Sequence, residues 1–375
     1  MKMQSHYKRM LSAILLWGAS AVLFSCTPPP ENYVVTVTGG ENGTAVTPGR
    51  TLTFPQDHGE HPEFGIEWWY FTANLRDQHQ QPLWLQWTLF RFRQSSAADI
   101  NQPKADVAEQ SWNNEQLYMA HASVHSSDNH YFQEKFARGG VGNAGVTMQP
   151  LTLFMDDWQY QSANNQLLAP GILQFTINDN AEVSLQLSSK RAPVLQGDGG
   201  FSLKYPGSKF ASYYYSQPYL EVTGDITLEG QSQQVAGKGW FDHEWSSQVL
   251  DERFNGWDWF SMHLEDNQKL MLFTLNSSVK SLPAYWYGVL IDRDGVRHVL
   301  QDEQITVNPT AVISIGNRRF ATQWDITLPE HGHRLTLSVM KEDQFIDATF
   351  SYYEGAVDIV GTSTGVGFVE MTGQE

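Results

Sequence analysis

Leu83-Trp84-Leu85-Gln86-Trp87-Thr88-Leu89-Phe90 is the stretch that decides the fold class. Leu83, Leu85, Trp87 and Leu89 fall on one face of an extended chain, and Trp84, Gln86, Thr88 and Phe90 on the other. The same period-two pattern recurs outward from it. Leu173, Phe175 and Ile177 alternate with Gln174 and Thr176, and Val183, Leu185 and Leu187 with Ser184 and Gln186. Leu220, Val222, Ile226 and Leu228 stand opposite Glu221, Thr223, Asp225, Thr227 and Glu229, and Leu335, Leu337 and Val339 repeat the pattern near the end. Asp198-Gly199-Gly200, Glu229-Gly230 and Asp294-Gly295 punctuate these runs as turns. Helix signals are few: Asp106 to Tyr118 reads as one short helix, and Ser246 to Asp251 as another turn or two. The result is an all-β chain of antiparallel barrels or sandwiches. No repeat of ~20–50 residues is present, which argues against a propeller or solenoid. A join near residues 230–240 leaves two parts, expected as 51–236 and 237–375, each long enough for one barrel.

Composition agrees. Of 375 residues, 13% are aromatic and only 17% charged, a balance that suits pleated, half-buried surfaces. The net charge of 24 − 41 = −17 repels phosphate backbones, so nucleic acid is not an expected partner. One cysteine excludes an internal disulfide and any Cys-cluster metal site. That cysteine follows a secretory pattern. Lys2, Lys8 and Arg9 precede the fourteen-residue apolar run Leu11 to Phe24, which is too short to span a membrane comfortably. Leu23-Phe24-Ser25-Cys26 resembles a bacterial lipobox. Residues 1–25 are therefore expected to be a lipoprotein signal peptide, with acylated Cys26 as the membrane anchor. Its removal takes away three positive charges, giving −17 − 3 = −20. Thr27 stands where Asp would retain a lipoprotein at the inner membrane, so the expected location is the outer membrane, facing the periplasm. Thr27-Pro28-Pro29-Pro30 then opens a non-helical tether over 26–50.

Three clusters carry the chemistry. In Glu67-Trp68-Trp69-Tyr70 the two Trp must point to opposite faces of a strand, one into a core and the other towards a second apolar surface or a ligand. Glu67 beside them is a candidate buried acid. Trp240-Phe241-Asp242-His243-Glu244-Trp245-Ser246-Ser247 sets an imidazole between carboxylates. If it is extended, His243 and Trp245 share one face, and Asp242 and Glu244 the other. A histidine held by a carboxylate acts as a general acid or base; it serves equally to tie two barrels together. Gly256-Trp257-Asp258-Trp259-Phe260 places Asp258 between indoles, where it needs a partner, and His243 is the one proposed. His58-Gly59-Glu60-His61 has metal-like spacing but lies in a Gly/Pro-rich loop, so no metal is assigned. His121 and His125 share a strand face about 13 Å apart, too far for one ion. His331 and His333 flank a Gly and read as solvated hairpin residues. Gly361-Thr362-Ser363-Thr364-Gly365 has no histidine after it to complete a nucleophile elbow. No phosphate-binding Gly loop is present, and no cofactor is expected.

These clusters, with Met119-Ala120-His121, Ala211-Ser212-Tyr213-Tyr214-Tyr215-Ser216, Tyr353-Glu354-Gly355-Ala356 and Gly367-Phe368-Val369-Glu370-Met371, resemble the AttH/CrtC family of two-domain lipocalin-like proteins. The resemblance implies two consecutive lipocalin-like β-barrels holding an apolar small molecule or lipid at their interface or in a calyx. In the hydratase branch it implies acid chemistry at His243, Trp245 and Asp258; Trp257 stands where that branch is expected to carry a Tyr. Read from the residues themselves, Asp242 and Glu67 are further catalytic candidates, Glu67 to orient water. Trp68, Trp69, Tyr70, Tyr214, Trp245, Trp257 and Trp259 are the aromatic candidates for ligand contact.

Three readings stay open. One is an envelope lipoprotein that binds an apolar ligand, accessory to an ABC transporter permease. Another is a cofactor-independent hydratase or hydrolase using His/Asp acid–base chemistry. The third is a scaffold whose barrels are filled by their own side chains. The Glu67 and His243 clusters are expected to line one cavity, with Asp258 within hydrogen-bond reach of His243.

Overall fold

The computed structural model describes residues 43–94, 114–164, 167–248, 250, 253–277, 279 and 281–374. Thirteen strands among them form a first antiparallel sheet, curled into a nearly closed barrel. Along the sheet their order is His130–Arg138, Gln116–Ser126, Pro82–Arg93, Ile66–Asp77, Gln231–Ser246, Ala211–Leu228, Ala181–Ser188, Gly171–Ile177, Trp158–Ser162, Leu151–Met155 and Ala144–Met148. Val194–Leu195 and Phe201–Leu203 add to the Ala211–Leu228 strand. A second antiparallel sheet of ten described strands makes a half-barrel. It runs Arg297–Leu300, Trp286–Ile291, Lys269–Ser277, Phe254–Leu264, Gly365–Met371, Tyr352–Gly361, His333–Val339, Arg318–Leu328 and Thr306–Ile315, with Phe345–Ile346 paired to Tyr352–Gly361. Both sheets belong to one compact unit, Val37–Glu375.

Alternation assigns each strand's two faces. Leu83, Leu85, Trp87 and Leu89 enter the barrel core, together with Trp69, Phe71, Tyr213, Tyr215, Phe241 and Trp245. Each such ring buries about 150–250 Å², worth ~4–6 kcal/mol before entropy is counted. The void left between Phe71, Trp87, Tyr160, Leu173, Leu220 and Phe241 is about the size of one water. The barrel is thus filled by its own side chains there, as the scaffold reading expects of a barrel interior. The second sheet buries Phe260, Leu272, Trp324, Leu337 and Val357 on its own concave side. The opposite faces of the two sheets meet in a third cluster that includes Tyr70, Trp84, Tyr214, Trp240, Trp259, Met271, Tyr287 and Phe368. This contact is called the seam below. Gln344 ties it across: Trp84 Nε1 donates to Gln344 Oε1 at 2.8 Å. A Cβ on Gly355 would stand 1.9 Å from Gln344 Cδ, so only glycine lets that side chain lie there.

Several expectations need correcting. Gln116 to Tyr118, the end of the expected helix, begin a strand; most of that helix lies outside the described residues. Ser246 closes a strand, and Ser247 and Gln248 form no helix. His333 is buried with Nε2 facing Gln268 Oε1 at 3.2 Å, because its strand turns it inward after Gly332. The join expected at 236/237 falls inside the Gln231–Ser246 strand, and the chain changes sheet only between Ser246 and Phe254. Gly237 and Gly239 are not a linker. A Cβ on Gly237 would lie 2.0 Å from the Asn74 carbonyl oxygen, so the glycine admits a close neighbouring backbone.

Candidate functional site

The strands Ile66–Asp77 and Gln231–Ser246 pair with Trp69 opposite His243, Glu67 opposite Trp245 and Tyr70 opposite Asp242. Odd-numbered residues of both strands face the barrel, and even-numbered ones the seam. The two clusters legible in the sequence are therefore each split between two environments.

On the barrel side Glu67 is the hub. Its Oε1 accepts from His61 Nδ1 at 2.7 Å and from His243 Nε2 at 2.8 Å. Its Oε2 accepts from Arg91 Nε at 3.0 Å and the His61 amide at 2.8 Å. His61 Nε2 meets Asp57 Oδ1 at 2.9 Å, and Arg50 Nη2 reaches the same oxygen at 2.8 Å. Trp245 stacks on His61 with centroids 3.8 Å apart, and Trp69 on His243 at 4.7 Å. Burial opposes ionisation of Glu67, yet His61, His243 and Arg91 hold it well below the ordinary carboxylate range. Burial likewise opposes the His61 cation, but Glu67 and Asp57 reverse this and raise it to about 9. His243 is lowered by burial, with Glu67 only partly restoring it. This is a compensated ion network inside a filled barrel.

His61 Nδ1, His243 Nε2 and Glu67 Oε1 lie within 4.8 Å of one another, which raises the question of a metal. The 2.7 and 2.8 Å spacings are those of hydrogen bonds, whereas tetrahedral ligands at ~2.0–2.1 Å from a zinc ion stand about 3.3 Å apart. Arg91 also supplies the counter-charge that a cation would. The purified protein is accordingly expected to carry far less than one zinc per chain by elemental analysis, and to keep its melting temperature in EDTA. Stoichiometric zinc with a chelator-induced loss of stability would contradict this.

The seam has a different character. Glu354 and Glu370 stand directly opposite each other on neighbouring strands, which sets their Cβ atoms about 5 Å apart. Tyr70 donates to Glu354 Oε1 at 2.5 Å, and Trp257 Nε1 to Glu370 Oε1 at 2.6 Å. Asp242 Oδ2 accepts from Tyr214 at 2.8 Å, and its Oδ1 from Trp240 Nε1 at 2.8 Å and from Ser216. Glu244 pairs with Lys204, whose ammonium lies over the rings of Tyr214 and Phe273. Burial pushes Asp242 up to about 7 against its three donors. Burial raises Glu370 to about 7 as well, with Asp242 and Glu244 adding to the effect. Glu354 rises well above the carboxylate range through burial and the facing Glu370. Two carboxyls this close in a dry setting cannot both ionise. Burial and the facing Glu370 therefore favour the protonated form of Glu354. Glu370, Trp68 and Trp257 are only half-buried, so the acid pair sits beside a partly accessible aromatic wall.

A match to the AttH-like family model extends over residues 45–374. The chain belongs to the AttH-like family. An AttH from Nitrosomonas europaea is 29% identical with a TM-score of 0.75, over 88% of this chain and 100% of that one. Kievitone hydratase from Nectria haematococca shares the fold at 14% identity and a TM-score of 0.63, over 88% and 96% of the two chains. CghA with bound Sch210972 shares it at 12% identity and a TM-score of 0.51, over 90% and 97%. No curated protein matches this AttH-like chain.

Of the residues expected in one site, Glu67, Trp69, His243 and Trp245 meet on the barrel side, while Trp68, Tyr70, Tyr214, Asp242, Trp257 and Trp259 meet at the seam. Asp258 joins neither: its Oδ1 accepts from Asn276 Nδ2 at 2.8 Å and Gln374 Nε2 at 3.0 Å. The expected Asp258–His243 bond is absent, since both His243 nitrogens are taken, by Glu67 and Tyr215, and Asp258 sits on the strand face opposite Trp257 and Trp259. Sequence reasoning assigned no role to Glu354, Glu370, His61 or Arg91. Glu354 and Glu370 lie in segments that carry the family resemblance, which was the available signal. Cys26 lies outside the described residues.

These shifts give a pH profile of stability. Glu67 and Asp57, the latter lowered to about 2, stabilise above their ordinary values of 4.5 and 3.8, and this is lost as pH falls. His58, lowered by burial to about 3, and the lowered His243 must also be charged at acid pH. On the other side, the His61 contribution is complete below 6.5 and lost as pH rises towards about 9. The raised carboxyls Asp242 and Glu370 stabilise below their ordinary values and have lost that contribution above about 7. Urea unfolding should therefore show stability lost below about pH 4.5 and again from pH 6.5 towards 9. A stability still rising from pH 6.5 to 8 would contradict the assignment.

Proposed function

We propose that this AttH-like protein is a cofactor-free acid catalyst that adds water to an alkene of an apolar substrate held at the seam. The observation that carries the reading is the Glu354–Glu370 pair, opposed in register beneath Tyr70 and Trp257. A neutral carboxylic acid among aromatic rings is the group that protonation of a carbon–carbon double bond requires. Glu354 gives its proton to one alkene carbon. The developing cation lies against indole and phenol faces, each worth ~0.5–2 kcal/mol. Water adds to the cation, and ionised, half-buried Glu370 accepts the proton that the water releases. That a hydratase carries the same fold is in keeping with this reading. A binding-only protein would use the same aromatic wall without the acid step.

Incubation with a panel of isoprenoid terminal alkenes, followed by mass spectrometry, tests it: a product heavier by one water is expected for at least one member. Binding without conversion across the panel would favour the binding-only reading. Anchoring through acylated Cys26 at the outer membrane is a separate proposal from the lipobox pattern, as is service to an ABC transporter permease from the family resemblance. Metabolic labelling with a palmitate analogue should mark the wild type and fail to mark Cys26→Ala.

A further inference from the structure

Glu354 is fully buried, so once it has given up a proton, no water refills it directly. Glu370, half-buried, can release a proton to solvent by itself. A route that reaches Glu354 through the protein lets the pair gain protons on one side and lose them on the other.

The contacts around Tyr352 supply that route. Glu134, half-buried at the surface of the first sheet, meets His121 Nε2 at 2.8 Å. Thr349 fixes the same carboxylate, its amide 3.2 Å from Oε1 and its hydroxyl 2.9 Å from Oε2. His121 is fully buried, and its Nδ1 lies 2.8 Å from the Tyr352 hydroxyl. The His121 and Tyr352 rings stack with centroids 5.6 Å apart and planes 13° from parallel. Tyr352 is two residues from Glu354 on one strand, hence on the same face, and its hydroxyl interacts with the Glu354 carboxyl. That interaction stops short of an aligned hydrogen bond: Glu354 Oε2 is buried and has no aligned donor. A small shift of the two side chains, with the hydroxyl hydrogen turned from His121 towards Oε2, closes the path. A carboxylate on one imidazole nitrogen and a tyrosine on the other satisfy the buried ring, and two bonds through it are also what proton transfer needs.

We propose that Glu134, His121 and Tyr352 form a proton path that refills Glu354 from solvent, an inference that rests on the acid role of Glu354 given above. In the inward step the His121 imidazolium breaks its Nδ1–H bond as an O–H bond forms at Tyr352. The former Tyr352 O–H bond breaks as an O–H bond forms at Glu354. His121 is left neutral and is recharged from water at Glu134, so one proton enters for each one that Glu370 returns to solvent. His121 and Tyr352 act through Glu354 and are positioning residues.

The test follows the Glu354 proton itself and needs no substrate. The infrared C=O stretch of protonated Glu354, identified by its loss in Glu354→Gln, shifts when the protein is mixed into D₂O, and its rate of shift is the exchange rate. Tyr352→Phe, which keeps the ring, should slow that exchange by roughly 10-fold or more. His121→Ala should slow it similarly, and added imidazole should restore it. Exchange at the wild-type rate in Tyr352→Phe, or no imidazole rescue in a folded His121→Ala, overturns the path while leaving the acid role of Glu354 standing. Absence of any protonated Glu354 band at neutral pH overturns both.

Discussion

Replacing Glu354 by Gln is expected to lower substrate turnover by about 10²–10⁴-fold, the usual contribution of a positioned general acid, while ligand affinity is kept. Gln keeps the shape and the acceptor oxygen that Tyr70 uses, but it has no acidic proton to deliver. Gln is neutral, like the protonated Glu354 it replaces, so stability at neutral pH should hold. This separates a catalytic acid from a structural one, whose loss would lower stability and binding together. Tryptophan fluorescence on ligand addition reads affinity, mass spectrometry reads turnover, and urea unfolding reads stability. Turnover within about threefold of the wild type would remove Glu354 from the chemistry.

Arg91→Met should be the most destabilising single change among the residues discussed. Arg91 is fully buried, donates Nε to Glu67 Oε2 at 3.0 Å, and donates Nη2 to the carbonyls of His61 and Phe64 at 2.8 and 3.0 Å. Methionine fills much of the same volume but leaves Glu67 a charge short, takes the side-chain donor from the Phe64 carbonyl and leaves the His61 carbonyl only the Phe64 amide. Removing one partner of a buried pair costs ~3–5 kcal/mol. Burying the pair need not itself be stabilising, so Glu67→Gln combined with Arg91→Met should recover part of the loss. A double-mutant cycle in urea measures both quantities. A loss under about 1 kcal/mol for Arg91→Met would show that the network is not what holds the loop of His58 and His61 onto the barrel.

The strands were legible because alternation is local: Leu83 to Leu89 need no knowledge of their neighbours to declare two faces. The opposite orientations of Trp68 and Trp69, and of Asp242 and His243, follow from the same parity and hold in the fold. What parity does not tell is which face meets which. Asp258 and His243 looked like partners because both are titratable groups set among indoles, yet their strands turn them to separate cores. Glu354 and Glu370 looked ordinary because neither has another carboxylic acid beside it in the sequence; only the register of two strands joined by the turn at 362–364 sets them face to face. His61 was visible in His58-Gly59-Glu60-His61, but its partner Glu67 is supplied by the loop folding back onto the strand. Gly237 marks a close approach of backbones within one long strand, and Gly239 leaves room for the side chains of Phe71 and Val222.

The titration of Glu354 and Glu370, followed by carbon NMR of glutamate labelled at Cδ, tests the central claim most directly. The protein is compared with Glu354→Gln and Glu370→Gln to identify the two signals. The account predicts that the pair titrates as a coupled unit, with Glu354 still protonated at pH 7 and Glu370 changing near about 7. Two independent titrations near the ordinary carboxylate value of 4.5 would mean that the seam holds no stored acid, and the proposed chemistry would have no proton to begin with.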